Sequence, residues 1–167
     1  MTIYQVDSFT KRPFAGNPAG VCVLSHFPGA DLMQNIAAEM NLSETAFVVP
    51  DGPVGRYQLR WFTPAVEVDL FGHATLAASH ILWEKEGLHP TQNITFETLS
   101  GELRAVRLPD GQIQLDFPAE NPVAIEVPGG LVEALGIEPV YIAGNRMDVL
   151  VELADENAIR SLRPNLS

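Results

Sequence analysis

The stretch from His73 to Glu86 constrains the fold more than any other. It carries Ala74, Leu76, Ala77, Ala78, Ile81, Leu82 and Trp83, and its first three turns hold almost no charge on any side. A surface helix keeps a polar face toward water, so a helix that is apolar all round is a buried one.

Short β-rich runs flank it. Residues 3–9 alternate loosely, residues 19–24 follow a Gly-Asn-Pro turn, and residues 44–49 and 57–63 read as two more strands. In the last of these, Leu59, Trp61 and Thr63 fall on one face and Arg60 and Phe62 on the other, and Pro64 ends it. Residues 31–40 space Leu32, Met33, Ile36, Ala37 and Met40 helically, with Asp31 as the expected N-cap and Asn41 suited to close the helix. Residues 93–98, 103–108 and 113–117 follow as three strands of a meander, the last two joined at Pro109-Asp110-Gly111. Pro118, Pro122, Pro128, Gly129 and Gly130 then mark residues 118–130 as a linker between a first unit, 1–117, and a short remainder, 131–167. The remainder predicts helices at 131–135 and 155–162, the second capped by Asp155, and strands at 139–143 and 148–153; it is too short for a core of its own.

The chain's 167 residues, 46% of them hydrophobic, suit an ordinary globular protein. Ten Lys and Arg against 21 Asp and Glu give a net charge of −11, which repels phosphate backbones and anionic membranes. Nucleic-acid and membrane partners are therefore not expected, whereas a pocket's local donors can still hold a small anion. One cysteine, Cys22, sits in an apolar strand and reads as a core residue. With no leader and no long apolar run, a cytoplasmic protein is expected.

Three segments could carry chemistry. Phe71-Gly72-His73-Ala74-Thr75 opens the buried helix, whose first amides have no partners within it, a ready anion site; equally, Gly72 could be a turn residue and His73 a satisfied histidine. In Asn41-Leu42-Ser43-Glu44-Thr45-Ala46-Phe47 a carboxylate stands at the mouth of a strand that becomes wholly apolar, and a partly buried Glu exchanges protons near neutrality; an exposed loop Glu is the alternative. Phe14-Ala15-Gly16-Asn17-Pro18-Ala19 fixes a tight turn that could present amides to a ligand or merely reverse the chain. The four histidines are too scattered to suggest a metal site, and no Walker loop, dinucleotide fingerprint or nucleophile elbow is found.

Together these three segments, with Phe62-Thr63-Pro64 and the run from Glu67 to Ala77, resemble the PhzF phenazine-biosynthesis-like family in order and spacing. The resemblance implies an α+β fold of the diaminopimelate epimerase kind: two related lobes, each a curved, mostly antiparallel sheet wrapped around a central helix, with the site between them. It implies that Glu44 is the catalytic carboxylate, with Gly72 and His73 beside it and Asn17, Ser43, Ala74 and Thr75 lining the substrate. The family's reaction is a proton transfer between carbons of trans-2,3-dihydro-3-hydroxyanthranilate, and no cofactor is required. A homodimer is expected. Thiol-dependent epimerase and racemase relatives place a cysteine where this chain has Phe71, which speaks against a two-thiol racemase. The family's second-lobe motif, an acidic residue followed by Asp-Pro-Val-Thr-Gly-Ser-Ala, does not occur. The expectation is thus a first lobe at 1–117 and the opening of an incomplete second lobe at 131–167, a fragment of a longer isomerase. The alternative is a non-catalytic single lobe that binds a small acid or a partner.

Overall fold

The computed structural model describes residues 1–165; positions 166 and 167, the end of the expected second-lobe opening, lie outside the described residues. The chain divides into one unit spanning Met1–Phe117 and a second beginning at Pro118.

The first unit runs β1 (Tyr4–Ser8), β2 (Asn17–Val23), α1 (Ala30–Met40), β3 (Glu44–Pro50), β4 (Arg56–Phe62), β5 (Glu67–Val68), α2 (Gly72–Glu84), β6 (Ile94–Thr98), β7 (Gly101–Arg107) and β8 (Ile113–Asp116). The strands form one sheet in the order β1-β2-β3-β4-β6-β7-β8, with β5 attached to β4. The sheet is mixed: β2–β3 and β4–β6 are parallel, and the remaining pairs are antiparallel. Parallel neighbours need a crossover, and the chain supplies one through α1 and another through α2.

Alternation along the strands sends residues to two separate cores. Val21, Ala46, Val48, Leu59 and Trp61 pack with Ala74, Ala77, Ala78, Ile81 and Leu82 of α2. Cys22, Phe47 and Phe62 point the other way and meet Met33 and Ala37 of α1. Helix α2 touches β1, β2 and β3 and also β8, so it reaches both edges of the sheet. Laid flat, seven strands would hold those edges about 29 Å apart, far beyond a helix about 10–12 Å wide. The sheet therefore curls around α2 into a half-barrel. Alanines on α2 let the strands approach closely, and full burial of a side chain such as Leu82 stabilises the unit by about 1.5–3 kcal/mol.

Several boundaries differ from the expectation. Helix α1 is capped by Gly29 without a side-chain bond, and Asp31 lies in its first turn, where a carboxylate meets the positive end of the helix dipole. Asn41 closes α1 in the left-handed conformation, φ 50° and ψ 37°, as its sequence position suggested. Strand β2 begins two residues earlier than periodicity placed it, because Asn17 and Pro18 pair with Ser8 and Asp7 of β1. Strand β5 escaped notice because two residues carry no period; it is held by Trp61 and Phe62.

The second unit contains β9 (Val123–Ala124), α3 (Leu131–Leu135), β10 (Tyr141–Gly144), β11 (Val149–Glu152) and α4 (Glu156–Ser161). Its sheet has the order β11-β10-β9. The stretch 118–130, expected as a linker, thus contributes a strand. Asp155 caps α4, its Oδ1 accepting from the Ala158 amide at 2.8 Å.

Candidate active site

The start of α2, the start of β3 and the start of β2 lie together at one end of the half-barrel. Ala19 and Glu44 are register partners in the parallel β2–β3 pair. Glu44 shares its sheet face with Ala46, toward α2, and its carboxyl meets His73 in the first turn of that helix. Glu44 Oε2 and His73 Nε2 are 3.0 Å apart, and both side chains are only 5% exposed. The two atoms are close without being aligned, so each remains a buried polar atom with no hydrogen bond made. Buried polar groups are nearly always paired, and an open valence of this kind calls for a bound partner or a shared proton.

Burial pushes the Glu44 carboxyl above its ordinary value. The same loss of water lowers His73, an effect opposed by a hydrogen bond with the Pro18 backbone. Proline has no N–H, so the imidazole donates and the Pro18 carbonyl accepts. With Nε2 unbonded, the donor is Nδ1, which leaves the Nε2 lone pair facing Glu44. Desolvation disfavours both charged forms, raising the carboxyl and lowering the imidazole.

The surroundings fix this geometry. Ser8 Oγ, buried at the end of β1, donates to the His73 carbonyl at 2.7 Å. The Phe71 ring stands edge-on to the imidazole at 5.7 Å. Gly16 lies in the turn before Asn17, where a Cβ would come within 2.2 Å of the Ser8 carbonyl; only glycine fits there. At Gly72 a Cβ would meet nothing within 4 Å, so the helix start is open in front of its backbone. Phe71 provides no side-chain cap to α2, and the first amides of that helix stay available to an anion.

Of the residues singled out in the sequence, Glu44, Gly72 and His73 converge. Asn17 is half-buried at the head of β2, and Ser43 is exposed immediately before Glu44. Ala74 and Thr75 are fully buried. The Thr75 hydroxyl already donates to the Phe71 carbonyl at 2.5 Å, so what this turn offers a ligand is backbone, not hydroxyl. Sequence reasoning missed the bonds that Pro18 and Ser8 make to His73, since no local pattern in β1 marks Ser8. Among the described residues no group of three or more His, Cys, Asp or Glu side chains converges to hold a metal ion, and no helix is long and apolar enough to cross a membrane.

A half-barrel curled on one buried helix thus carries an acid–imidazole pair at that helix's open start. The chain belongs to the family described as phenazine biosynthesis-like protein, PhzC-PhzF, whose model matches residues 6–167. It is 51% identical over 168 residues to an uncharacterised isomerase of Halalkalibacterium halodurans, covering 99% of this chain and 62% of the relative. It is 43% identical over 168 residues to the human phenazine biosynthesis-like domain-containing protein, covering 93% of this chain and 57% of the relative. Among solved structures, a PhzF-family protein of Enterococcus faecalis superimposes with a TM-score of 0.84 at 39% identity, over 98% of this chain and 61% of that one. The chain thus spans about three-fifths of the length of the relatives it matches.

Proposed function

We propose that this chain is the first lobe, with the opening of a second, of an isomerase that moves a proton between carbons of a small carboxylate-bearing molecule without a cofactor. The observation that carries the reading is the buried Glu44–His73 pair with both facing atoms unbonded. In its ionised form Glu44 removes a proton from one carbon; the electron pair shifts along the conjugated system, and the protonated carboxyl returns the proton at another carbon. One C–H bond breaks and one forms, so the step is balanced within the substrate. Burial makes this carboxyl hold its proton more readily than a free one, which suits an acid that must also be a base. The open amides of Gly72, His73 and Ala74 suit the substrate carboxylate, with Asn17 and Ser43 as polar lining. Thr75 supports this turn from behind, its amide and its hydroxyl both donating to the Phe71 carbonyl.

Family membership and the names of the relatives support isomerisation. The proposed substrate type is trans-2,3-dihydro-3-hydroxyanthranilate or a relative of it. Proton NMR of the complete protein with that compound in deuterated water tests this: where the carboxyl proton exchanges with solvent before it is returned, deuterium should enter the product at the carbon that gains the proton. Glu44→Gln should abolish the incorporation while the fold is kept, and undiminished incorporation would refute the role of Glu44. A homodimer in the cytoplasm is part of the same reading, and sedimentation equilibrium of the complete protein tests the dimer.

A further inference from the structure

One buried group near the site has no assigned part. Trp61, in β4, is 1% exposed, and its indole Nε1 has no hydrogen-bond partner. The chain's other tryptophan makes the contrast: Trp83 Nε1 donates to the Gln92 carbonyl at 3.0 Å. A buried indole N–H usually finds an acceptor, and one left open costs about as much as a lost hydrogen bond.

Register places Trp61 on the same sheet face as Glu44. Ala46 pairs with Trp61, and both belong to the core on α2. Glu44 lies two residues before Ala46, on the same face. Trp61 is therefore the diagonal cross-strand neighbour of Glu44, at a spacing of roughly 7–8 Å between backbones that long and aromatic side chains bridge. Above them the α2 core residues Ala74, Ala77 and Ala78 are small. Three unbonded polar atoms thus belong to the layer between this sheet face and α2: the Trp61 donor and Glu44 Oε2 from the sheet, and the Nε2 acceptor of His73 from the helix. A buried water needs two to four polar partners, and this set supplies a donor and two acceptors.

Building on the assignment of Glu44 above, we infer that Trp61 is a positioning residue of the site, its indole N–H holding a water between itself and the Glu44 carboxyl. The water passes the pull of the indole dipole to the carboxylate and orients its free lone pair toward the substrate.

The test follows the indole N–H signals of the complete protein, labelled with nitrogen-15, through a pH titration. Trp61 is identified by loss of its signal in Trp61→Phe, or through its neighbours Ala46 and Val68 should that variant not fold. Its signal is expected to move with the ionisation of Glu44 and to lose that movement in Glu44→Gln, while the Trp83 signal stays still. Trp61→Phe is expected to raise the acidic limb of the kcat/KM profile and lower kcat/KM about three- to tenfold. A Trp61 signal that is flat in the wild type, or that titrates unchanged in Glu44→Gln, overturns the inference. Turnover surviving in Glu44→Gln would instead remove the acid–base reading, and the indole titration would still decide whether the two side chains share a water.

Discussion

Glu44→Gln should make the protein more stable in mild alkali while removing its activity. The Glu44 carboxyl is raised above its ordinary value of 4.5 by burial. A group that binds its proton more tightly folded than unfolded contributes fully to stability below the unfolded value and loses that contribution as pH rises through the folded one. At pH 8 the wild type therefore holds either a buried carboxylate or a carboxyl that resists ionisation, and both cost stability. Glutamine is the neutral isostere. Its NH2 can donate to the His73 Nε2 lone pair, which stands 3.0 Å from Oε2 in the wild type. Relieving one unsatisfied buried group is worth about 1–3 kcal/mol, more when the group is charged. Urea unfolding of the complete protein followed by circular dichroism, at pH 5 and pH 8, measures this. The variant is expected to gain about 1–3 kcal/mol at pH 8 and less at pH 5, with an unchanged urea slope. His73, lowered by burial, contributes the opposite slope in both proteins: its share is present above its ordinary value of 6.5 and lost as pH falls through the folded value. A variant less stable than the wild type at pH 8, or a difference independent of pH, would refute the reasoning.

Three further substitutions probe the frame. Gly16→Ala drives a Cβ to within 2.2 Å of the Ser8 carbonyl; it should cost about 1–3 kcal/mol in the same unfolding assay. Turnover should fall with it, because Ser8 also holds His73. Phe47→Ala empties a fully buried position between the sheet and α1, with an expected loss of about 3–5 kcal/mol by urea unfolding. Asp155→Ala removes the cap of α4; hydrogen exchange at the Ala158 amide should quicken, in line with a local loss of about 0.5–2 kcal/mol.

The parts of the fold that were legible in the sequence are those with a strong period. The charge-free run of α2 declared its burial, and the alternation of Leu59 and Trp61 against Phe62 gave the two faces of β4 that the cores now show. Asn41 and Asp155 announced their caps through side-chain chemistry alone. What escaped was set by pairing and not by local pattern. The two-residue strand β5 has no period to detect, and Asn17 and Pro18 join β2 only because β1 lies opposite them. The mixed character of the sheet follows from where two helices return the chain, which no strand sequence encodes. At the site, Glu44 and His73 could be named from their motifs, but their 3.0 Å approach depends on strand register and helix placement across 29 residues of chain. Ser8 and Trp61 lie outside those motifs and were found only through their bonds, one made and one missing.

Cys22 offers a last test, because a thiol is another side chain that can carry a proton. Its side chain is fully buried against α1, and burial pushes the thiol up to about 11. At pH 8 about one such thiol in a thousand is ionised, and the thiolate is the reactive form. The phenylalanine at position 71, and not a cysteine, stands before the glycine at the helix start. Iodoacetamide should therefore leave Cys22 unmodified in the folded complete protein at pH 8, as read by peptide mass spectrometry. Labelling should appear only in denaturant, at a rate set by opening of the β2–α1 core. Cys22→Ser should leave the solvent-deuterium incorporation within about twofold of the wild type, since the thiol reaches neither Glu44 nor the open helix start. Rapid labelling in the folded state would contradict the burial, and loss of incorporation in a folded Cys22→Ser protein would move the proton chemistry from the carboxyl to the thiol.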